Sequence, residues 1–480
     1  MDKVVLVFAD EDISSIFMKS DKKSDFLDVL KGKLFPPLGL LYIGAILERE
    51  KISVTVLDLL ALDYSVEDAV KRIVKEKPKV VGFSVQSANL HKIYQTIKGL
   101  REIINVKIIL GGPHISYSPQ AVDYLGADFG IAGDAEYSFR DLVKAIIGNL
   151  SLDGIAGLIK RENSTLICNK QSRIEDLDSL PQPARHLWPH KCFSPLLASN
   201  VATILTSRGC VYNCIFCGLP DKGNYRARGI ANVVDEFQQL YDAGYRHVEL
   251  QDDMFTFYRQ RTVDICKELL KRKIKMKWTC VTRADYVDYE LLKLMKQAGC
   301  THVKFGIECA SDKLRNVVIG KNISSDKIIK GIKATKRAGI CSVGYFVIGI
   351  PTETLEDIKD TIRFAYDLNL DYLDFHLTLI ISGSRLFDRA LREGKIDEDT
   401  WKKVALGDPI PVYISDNLDI SQMQQLISKG LIGFYFSPRF LFREIFLRTR
   451  DFKNFCNKAK LLWLMIQSLT SKLFSRPSAR

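Results

Sequence analysis

Short runs of β-branched and aliphatic residues alternate with amphipathic stretches along most of the chain. In the first 150 residues the apolar runs are Val4–Phe8, Val54–Leu57, Val80–Val85, Lys107–Leu110 and Phe129–Ala132. Their lack of polar alternation suits strands covered on both faces of a parallel sheet. Helical spacing fills the intervals near Leu38–Glu50, Ser65–Glu76, Leu90–Ile103, Pro119–Leu125 and Tyr137–Ile147. Five strands with interleaved helices predict a doubly wound sheet, whose ligand sits beyond the carboxyl ends of the strands. Asp10–Lys33 is a polar excursion and reads as a loop with a short helix.

Ile155–Lys160 and Thr165–Asn169 pair as a hairpin about Glu162-Asn163, after which Pro181, Pro183, Pro189 and Pro195 interrupt regular structure. From Val201 the alternation resumes, with strands at Val201–Leu205, His247–Gln251, Lys277–Val281, His302–Ile307, Ser342–Ile348 and Tyr372–Leu379. Helices are expected near Val233–Ala243, Arg261–Lys271, Tyr289–Gln297, Ser325–Ala338 and Leu355–Leu368. Six strand–helix units predict a partial parallel barrel with its chemistry in the loops after each strand. The expected class is α/β. A doubly wound, flavodoxin- or Rossmann-like domain (1–150) precedes a connector (151–200). A partial (β/α)6 barrel (201–390) and a small, mostly helical, basic region (391–480) follow.

A chain of 480 residues exceeds one ordinary domain, and 46% hydrophobic with 26% charged residues is a normal globular balance. The longest uninterrupted apolar candidate, Leu461–Ile466, falls far short of the roughly 20 residues that span a bilayer. Met1–Asp10 has no signal-peptide character, so cytoplasmic residence is expected. The net charge of +12 is uneven: from Tyr435 to Arg480 there are ten Lys or Arg against two Asp or Glu. Eleven cysteines in a chain without a secretion signal argue for reduced thiols. None precedes Cys168, and three fall within Cys210–Cys217.

The segment Ser207-Arg208-Gly209-Cys210-Val211-Tyr212-Asn213-Cys214-Ile215-Phe216-Cys217-Gly218 directly follows the first barrel strand. Three thiolates at spacings of four and three can wrap one compact cluster. A structural zinc ion wants four protein ligands. An iron–sulfur cubane held by three cysteines leaves one iron open to a chelating cofactor. Chance grouping of small buried cysteines and a zinc site completed by a distant histidine are the alternatives.

The C-x3-C-x2-C pattern with Phe216 before the last cysteine resembles the radical S-adenosylmethionine superfamily. The resemblance implies a [4Fe-4S] cluster on Cys210, Cys214 and Cys217. It also implies S-adenosylmethionine on the open iron and reductive cleavage to a 5′-deoxyadenosyl radical. Gln251-Asp252-Asp253-Met254-Phe255 resembles the acidic turn after the second strand, and Gly306-Ile307-Glu308 the fourth-strand motif, whose carboxylate contacts the cofactor ribose or amino group. Gly349-Ile350-Pro351-Thr352-Glu353-Thr354 resembles the fifth-strand motif beside adenine, and Ser382-Gly383-Ser384-Arg385-Leu386 is a weaker match to Pro-Gly-Thr. The implied S-adenosylmethionine site is thus Phe216, Gly218, Asp252, Asp253, Glu308, Gly349, Ile350 and Pro351. Arg283, at the end of the third strand, either pairs with the cofactor carboxylate or forms a surface salt bridge. Helix capping by Asp252 and Asp253 and a plain strand end at Gly349 are the ordinary alternatives.

A doubly wound domain ahead of such a barrel resembles the cobalamin-binding class of the superfamily. The matching pieces are Pro36-Pro37-Leu38-Gly39-Leu40-Leu41-Tyr42, Gly111-Gly112-Pro113-His114 and Gly130-Ile131-Ala132-Gly133-Asp134-Ala135-Glu136. The implied cobalamin contacts are Pro37, Leu38, Gly39, Ser84, Ser87, Gly111, Gly112, Pro113, His114, Gly133 and Glu136. Asp10-Glu11-Asp12-Ile13 lacks the histidine of Asp-x-His-x-x-Gly, so cobalt is not ligated from there. His114 is the other candidate ligand, against a loop histidine bonded to backbone. A degenerate domain that binds nothing is the bland reading.

With both cofactors, the expected activity is methyl transfer to an unactivated carbon of a small molecule or lipid. Radical oxidation, cyclisation or rearrangement is the alternative, and a non-catalytic corrinoid or redox sensor the rival of another class. A methylthiotransferase is disfavoured because no cysteine precedes Cys168. The resemblance also implies an external electron donor of flavodoxin or ferredoxin type. The aromatic and basic Ser421–Arg480 reads as helical packing over the barrel, with peripheral membrane contact as an addition and nucleic acid not favoured.

Overall fold

The computed structural model describes residues 2–9, 35–189, 193–194, 199–416 and 418–444. The polar excursion Asp10–Lys33, Pro195 and the tail beyond residue 444, with Trp463 and Lys472, lie outside the described residues.

The first sheet has strands β1 (Lys3–Phe8), β2 (Ser53–Asp58), β3 (Val80–Ser84), β4 (Lys107–Gly111), β5 (Phe129–Ile131), β6 (Leu158–Glu162) and β7 (Thr165–Cys168). Their order is β2-β1-β3-β4-β5-β6-β7, with the first five parallel. Alternate side chains of each strand serve opposite faces. Val5, Val7, Val81, Phe83, Ile108 and Leu110 pack with helices α2 (Val66–Glu76) and α3 (Leu90–Ile103). Val4, Leu6, Val80 and Ile109 pack with α1 (Leu38–Arg49) and, beyond the short α4 (Pro113–Tyr117) and α5 (Ala121–Tyr124), with α6 (Glu136–Gly148).

The apolar pattern predicts five strands, and the sheet has seven. β5 is only three residues long and would leave an open edge, which the antiparallel hairpin β6–β7 covers. Asn163 and Ser164 turn it with φ of 45° and 68°, the paired left-handed conformations of a two-residue hairpin loop.

The second sheet contains β8 (Phe193–Ser194) and β9 (Ser199–Ile204); a small ribbon, β10 (Ser207–Arg208) and β11 (Arg226–Ala227), stands apart. Then come β12 (His247–Leu250), β13 (Lys277–Thr282), β14 (Cys300–Glu308), β15 (Cys341–Ile348) and β16 (Tyr372–Leu377). The order β16-β15-β14-β13-β12-β9 is parallel throughout, a six-stranded partial barrel with β8 added antiparallel at one edge. Outward residues such as Trp278, Val303, Phe305, Phe346 and Phe375 meet the helices α7 (Ile230–Asp242), α8 (Arg259–Lys271), α9 (Tyr289–Gln297), α10 (Ser325–Arg337) and α11 (Leu355–Asp367).

After α12 (Arg385–Arg392), the chain returns to the first domain through α13 (Thr400–Leu406). Trp401, Val404, Ala405 and Ile410 enter the core that contains β1 and α3. Helices α14 (Ile420–Tyr435) and α15 (Pro438–Phe442) close the far edge of the barrel. There the Tyr435 hydroxyl accepts from the Leu373 N–H at 3.2 Å and donates to its carbonyl at 2.6 Å, occupying the open edge of β16. No described helix is long and apolar enough to cross a membrane.

Trp401 is 2% exposed and lies edge-on to His114 at 5.2 Å. Trp401→Ala is expected to lower stability by about 3–5 kcal/mol, the range for truncating a buried aromatic, measured by urea denaturation.

Candidate functional site

The cysteine loop leaves β9 under tight backbone control. Asp252, buried at the end of β12, accepts from the Thr206 N–H at 2.7 Å and from the Thr206 and Ser207 hydroxyls. Its carboxylate thereby joins two strand ends. Gly209 (φ 88°) follows, where a Cβ would lie 2.5 Å from the Asn224 carbonyl oxygen. The Gly223 N–H donates to the Cys210 carbonyl at 2.8 Å, Ile215 N–H to Ile319 at 2.9 Å, and Leu386 N–H to Ile215 at 2.8 Å. Lys222 Nζ bridges the carbonyls of Cys217 at 3.0 Å and Gly383 at 2.6 Å. The ring of Tyr117 stands where any side chain at Gly383 would go.

Cys210, Cys214 and Cys217 are free and partly buried. Burial pushes all three thiols up, and each also feels a neighbour of the trio: Cys210 feels Cys214, Cys214 feels Cys217, and Cys217 feels Cys210. Yet among the described residues no three His, Cys, Asp or Glu side chains converge on one point as a single ion would need. Three thiolates fall one short of the four protein ligands of a structural zinc site, and they suit a cluster that gives each thiolate its own iron.

Beside the trio lies a buried ion pair. Glu308 ends β14 at a register shift, with a left-handed backbone (φ 73°), and accepts from Lys321 Nζ. A Cβ on Gly306 would strike Glu308 Oε1 at 2.6 Å and Lys321 Nζ at 2.7 Å, so the glycine makes room for the pair. Lys321 lies within electrostatic reach of Cys210 and Cys214. Asp253 lies within electrostatic reach of Cys210 and Cys217, and burial, then Asp252, pushes its carboxyl up to about 6.

Arg283 is not a surface residue. It is 4% exposed, its fork is closed on Asp285 at 3.0 and 2.9 Å, and it donates to the carbonyls of Lys321 and Asn322. Its guanidinium also lies 3.8 Å from the centre of the Tyr212 ring in the cysteine loop.

Phe216 and Cys214 share one apolar cluster with Ile350. Gly218 is tucked under Ile381, where a Cβ would be 2.5 Å from Cγ2. The Gly349 and Ile350 amides donate to Glu353 at 2.6 and 3.1 Å, which closes the turn ahead of buried Pro351. The other Glu353 oxygen is buried without a protein partner.

A cavity of about 1180 Å³ lies between the two domains. From the first domain Pro37, Leu38, Gly39, Ser84, Gly111, Gly112, Pro113, Gly133 and Glu136 line it; from the second, Arg208, Gly209 and Asp253 do. Gly39 has nothing within 4 Å of its added Cβ, and Gly111 only Ala135 at 3.9 Å, so both keep the wall open. Glu136 Oε2 is buried and without a protein partner, ready for a donor such as a corrin amide. Size, open glycine walls and this orphaned acceptor fit a large amide-bearing macrocycle.

Ser87 and His114 are not in the wall. They bond each other at 2.9 Å, His114 Nε2 meets the Tyr124 hydroxyl at 2.9 Å, and burial pulls the imidazole down to about 3. With both ring nitrogens engaged by side chains, and not by backbone, His114 has none left for cobalt. The described wall contains no His, Cys or Met.

Sequence reasoning missed Lys321 and the clasp between domains. Arg208 donates to Asp134 at 2.8 Å and to Glu136, while Arg226 reaches Asp134 and Asp221, each at 2.6 Å. Arg208 lay inside the quoted motif; Lys321 follows a π-helical turn (Leu314–Val318) that no spacing announces.

Residues 204–365 match the radical SAM superfamily, and residues 29–143 match the B12 binding domain. An uncharacterized methyltransferase, PH0819, of Pyrococcus horikoshii is 32% identical over 425 residues, covering 86% of this chain and 91% of the relative. The chain belongs to the radical SAM superfamily, in the branch that carries a B12 binding domain. An anaerobic magnesium-protoporphyrin IX monomethyl ester cyclase of Rubrivivax gelatinosus is 26% identical, with 85% of this chain and 75% of that one aligned. The fold of this radical SAM chain matches that of the methyltransferase TsrM from Kitasatospora setae, whose structure holds cobalamin and a [4Fe-4S] cluster. The TM-score is 0.72 at 17% identity, covering 98% of this chain and 100% of that one.

The Glu353 carboxyl is pushed from 4.5 up to about 8 by burial, against the pull of its two amides. The folded state therefore holds this proton more tightly than the unfolded chain. The resulting stability is complete below pH 4.5 and lost as pH rises through about 8. Glu353→Gln is expected to flatten that part of the stability–pH curve, read by chemical denaturation at pH 5 to 9.

Proposed function

We propose that this protein reductively cleaves S-adenosylmethionine at a [4Fe-4S] cluster held by Cys210, Cys214 and Cys217. With cobalamin in the interdomain cavity, it transfers a methyl group to an unactivated carbon of a small molecule. The observation that carries this reading is the shared wall: the cavity that fits a corrin is bounded by Arg208 and Gly209, immediately before the first cluster cysteine.

The cofactors, when bound, supply the radical and the methyl group. The chain's residues position and shield them. Asp252 and Lys222 hold the ends of the cysteine loop, and Phe216 and Ile350 keep one side apolar. The Arg208 clasp keeps the first domain seated on the barrel, and the open glycine walls admit the macrocycle. Two relatives bear methyltransferase names, which supports methyl transfer. The cyclase relative supports a second reading, radical oxidation or cyclisation on the same scaffold.

Reductive cleavage needs an electron from outside the chain, supplied in this reading by an acidic flavodoxin- or ferredoxin-type protein. The substrate is a small molecule, with a lipid as the alternative. In the same reading the enzyme is cytoplasmic, and its basic segment after Tyr435 provides any peripheral membrane contact.

Anaerobically reconstituted protein with dithionite and cobalamin is expected to form 5′-deoxyadenosine and to show corrin absorption. Cys214→Ala should abolish 5′-deoxyadenosine, by at least about 100-fold, while retaining the corrin spectrum, because the two sites use different side chains. Absence of cleavage by the iron-replete wild type refutes the function.

A further inference from the structure

The peptides on both sides of Cys214 are gripped from outside the cysteine loop. Arg385, at the start of α12, donates to the Asn213 carbonyl at 2.7 Å, and the Ile319 carbonyl accepts from the Ile215 N–H at 2.9 Å. The Ile215 carbonyl in turn accepts from the Leu386 N–H of α12 at 2.8 Å. A Cβ on Gly320 would lie 3.0 Å from the Arg385 guanidinium, so the end of the π-helical turn Leu314–Val318 lies against the start of the helix. Both elements therefore meet beside the middle cluster cysteine.

Their outer surface combines apolar and basic character. Val317, on the π-helical turn, is 77% exposed, more than any other large apolar side chain among the described residues. It stands two residues before Ile319, whose carbonyl holds the cysteine loop. Val211 and Asn213 of that loop are exposed as well. Helix α12 buries Leu386 and Ala390 and presents Arg385, Asp388, Arg389 and Arg392 on the opposite face. Glu393 engages Arg389 at 2.7 Å, so the exposed Arg385 and Arg392 are set against Asp388. Lys313, exposed just before the turn, adds a further cation, while Arg315 engages neighbouring Asp312 at 2.6 Å.

The cleavage proposed above needs one electron from outside the chain. Electron tunnelling weakens steeply with distance, so a donor gains by resting on the segment that carries a cluster ligand. We infer that this face of the cysteine loop is the docking surface of a flavodoxin-type donor, an acidic protein with an exposed flavin edge. The apolar dimethylbenzene edge of the flavin rests on Val317 and Val211, and carboxylates around it meet Arg385, Arg392 and Lys313. The flavin passes from anionic hydroquinone to neutral semiquinone, so one electron leaves it for the cluster and no proton moves. This assignment rests on the proposed cleavage of S-adenosylmethionine, and its test separates the two.

The test drives cluster-replete protein with either reduced flavodoxin or dithionite, which is small enough to need no docking surface. The double variant Val317→Asp/Lys313→Glu is expected to slow flavodoxin-driven 5′-deoxyadenosine formation by about tenfold or more, the effect of like charges brought together. Its dithionite-driven rate should stay within about twofold, as for exposed substitutions generally. The dissociation constant for flavodoxin, read by thermophoresis without S-adenosylmethionine, should rise in parallel and, for the wild type, rise with salt. Lys313→Glu alone, which alters one exposed side chain, should reproduce part of the loss. Lys98→Glu, the same reversal on exposed α3 of the first domain, should change neither rate. Equal losses with both reductants, unchanged flavodoxin binding by the double variant, or a matching loss in Lys98→Glu overturns the assignment. So does a wild type that responds to dithionite but does not bind flavodoxin. A wild type that cleaves with neither reductant refutes the proposed function instead.

Discussion

The two halves of the molecule are clasped at the cavity by a pair of guanidinium groups, Arg208 and Arg226. Arg208 stands two residues before the first cluster cysteine and is shared between Asp134 and Glu136 of the first domain, while Arg226 takes the other oxygen of Asp134. Burial alone would raise the Asp134 carboxyl, but Arg208 and Arg226 hold it below its usual range. Removing one partner from such a network costs about 3–5 kcal/mol, because it strands a charge away from water. The clasp borders the interdomain cavity, where Glu136 keeps one oxygen without a protein partner.

A similar economy governs the barrel mouth. Each polar group that might have been assigned to a cofactor by type alone is sorted by what it already holds. Asp252 holds Thr206 and Ser207, Arg283 holds Asp285 and two carbonyls, and His114 holds Ser87 and Tyr124. Glu308 and Lys321 hold only each other among the described residues, and Asp253 is pushed toward neutrality by burial.

Much of this frame was legible in the chain. Parallel strands buried on both faces read as apolar runs, so β1–β5 and the six barrel strands stand within a few residues of where the pattern puts them. The cysteine spacing and the glycines at strand ends are local features, and local features survive in sequence. Partnerships across hundreds of residues do not. Nothing near Ser87 announces His114, nothing near Asp134 announces Arg226, and Lys321 acquires meaning only because a glycine at 306 leaves room for it. The sixth and seventh strands are the hairpin that the residues announce, but its pairing with β5 is a contact across the fold that no local feature marks.

The insertion of Trp401, Val404, Ala405 and Ile410 beneath α3 has a consequence for how the protein is made. The core around β1 stays incomplete until a stretch some four hundred residues downstream has emerged from the ribosome. The patch that these four side chains cover in the finished fold is therefore left without them throughout synthesis of the barrel. A first domain cut before this segment would accordingly expose that patch to water.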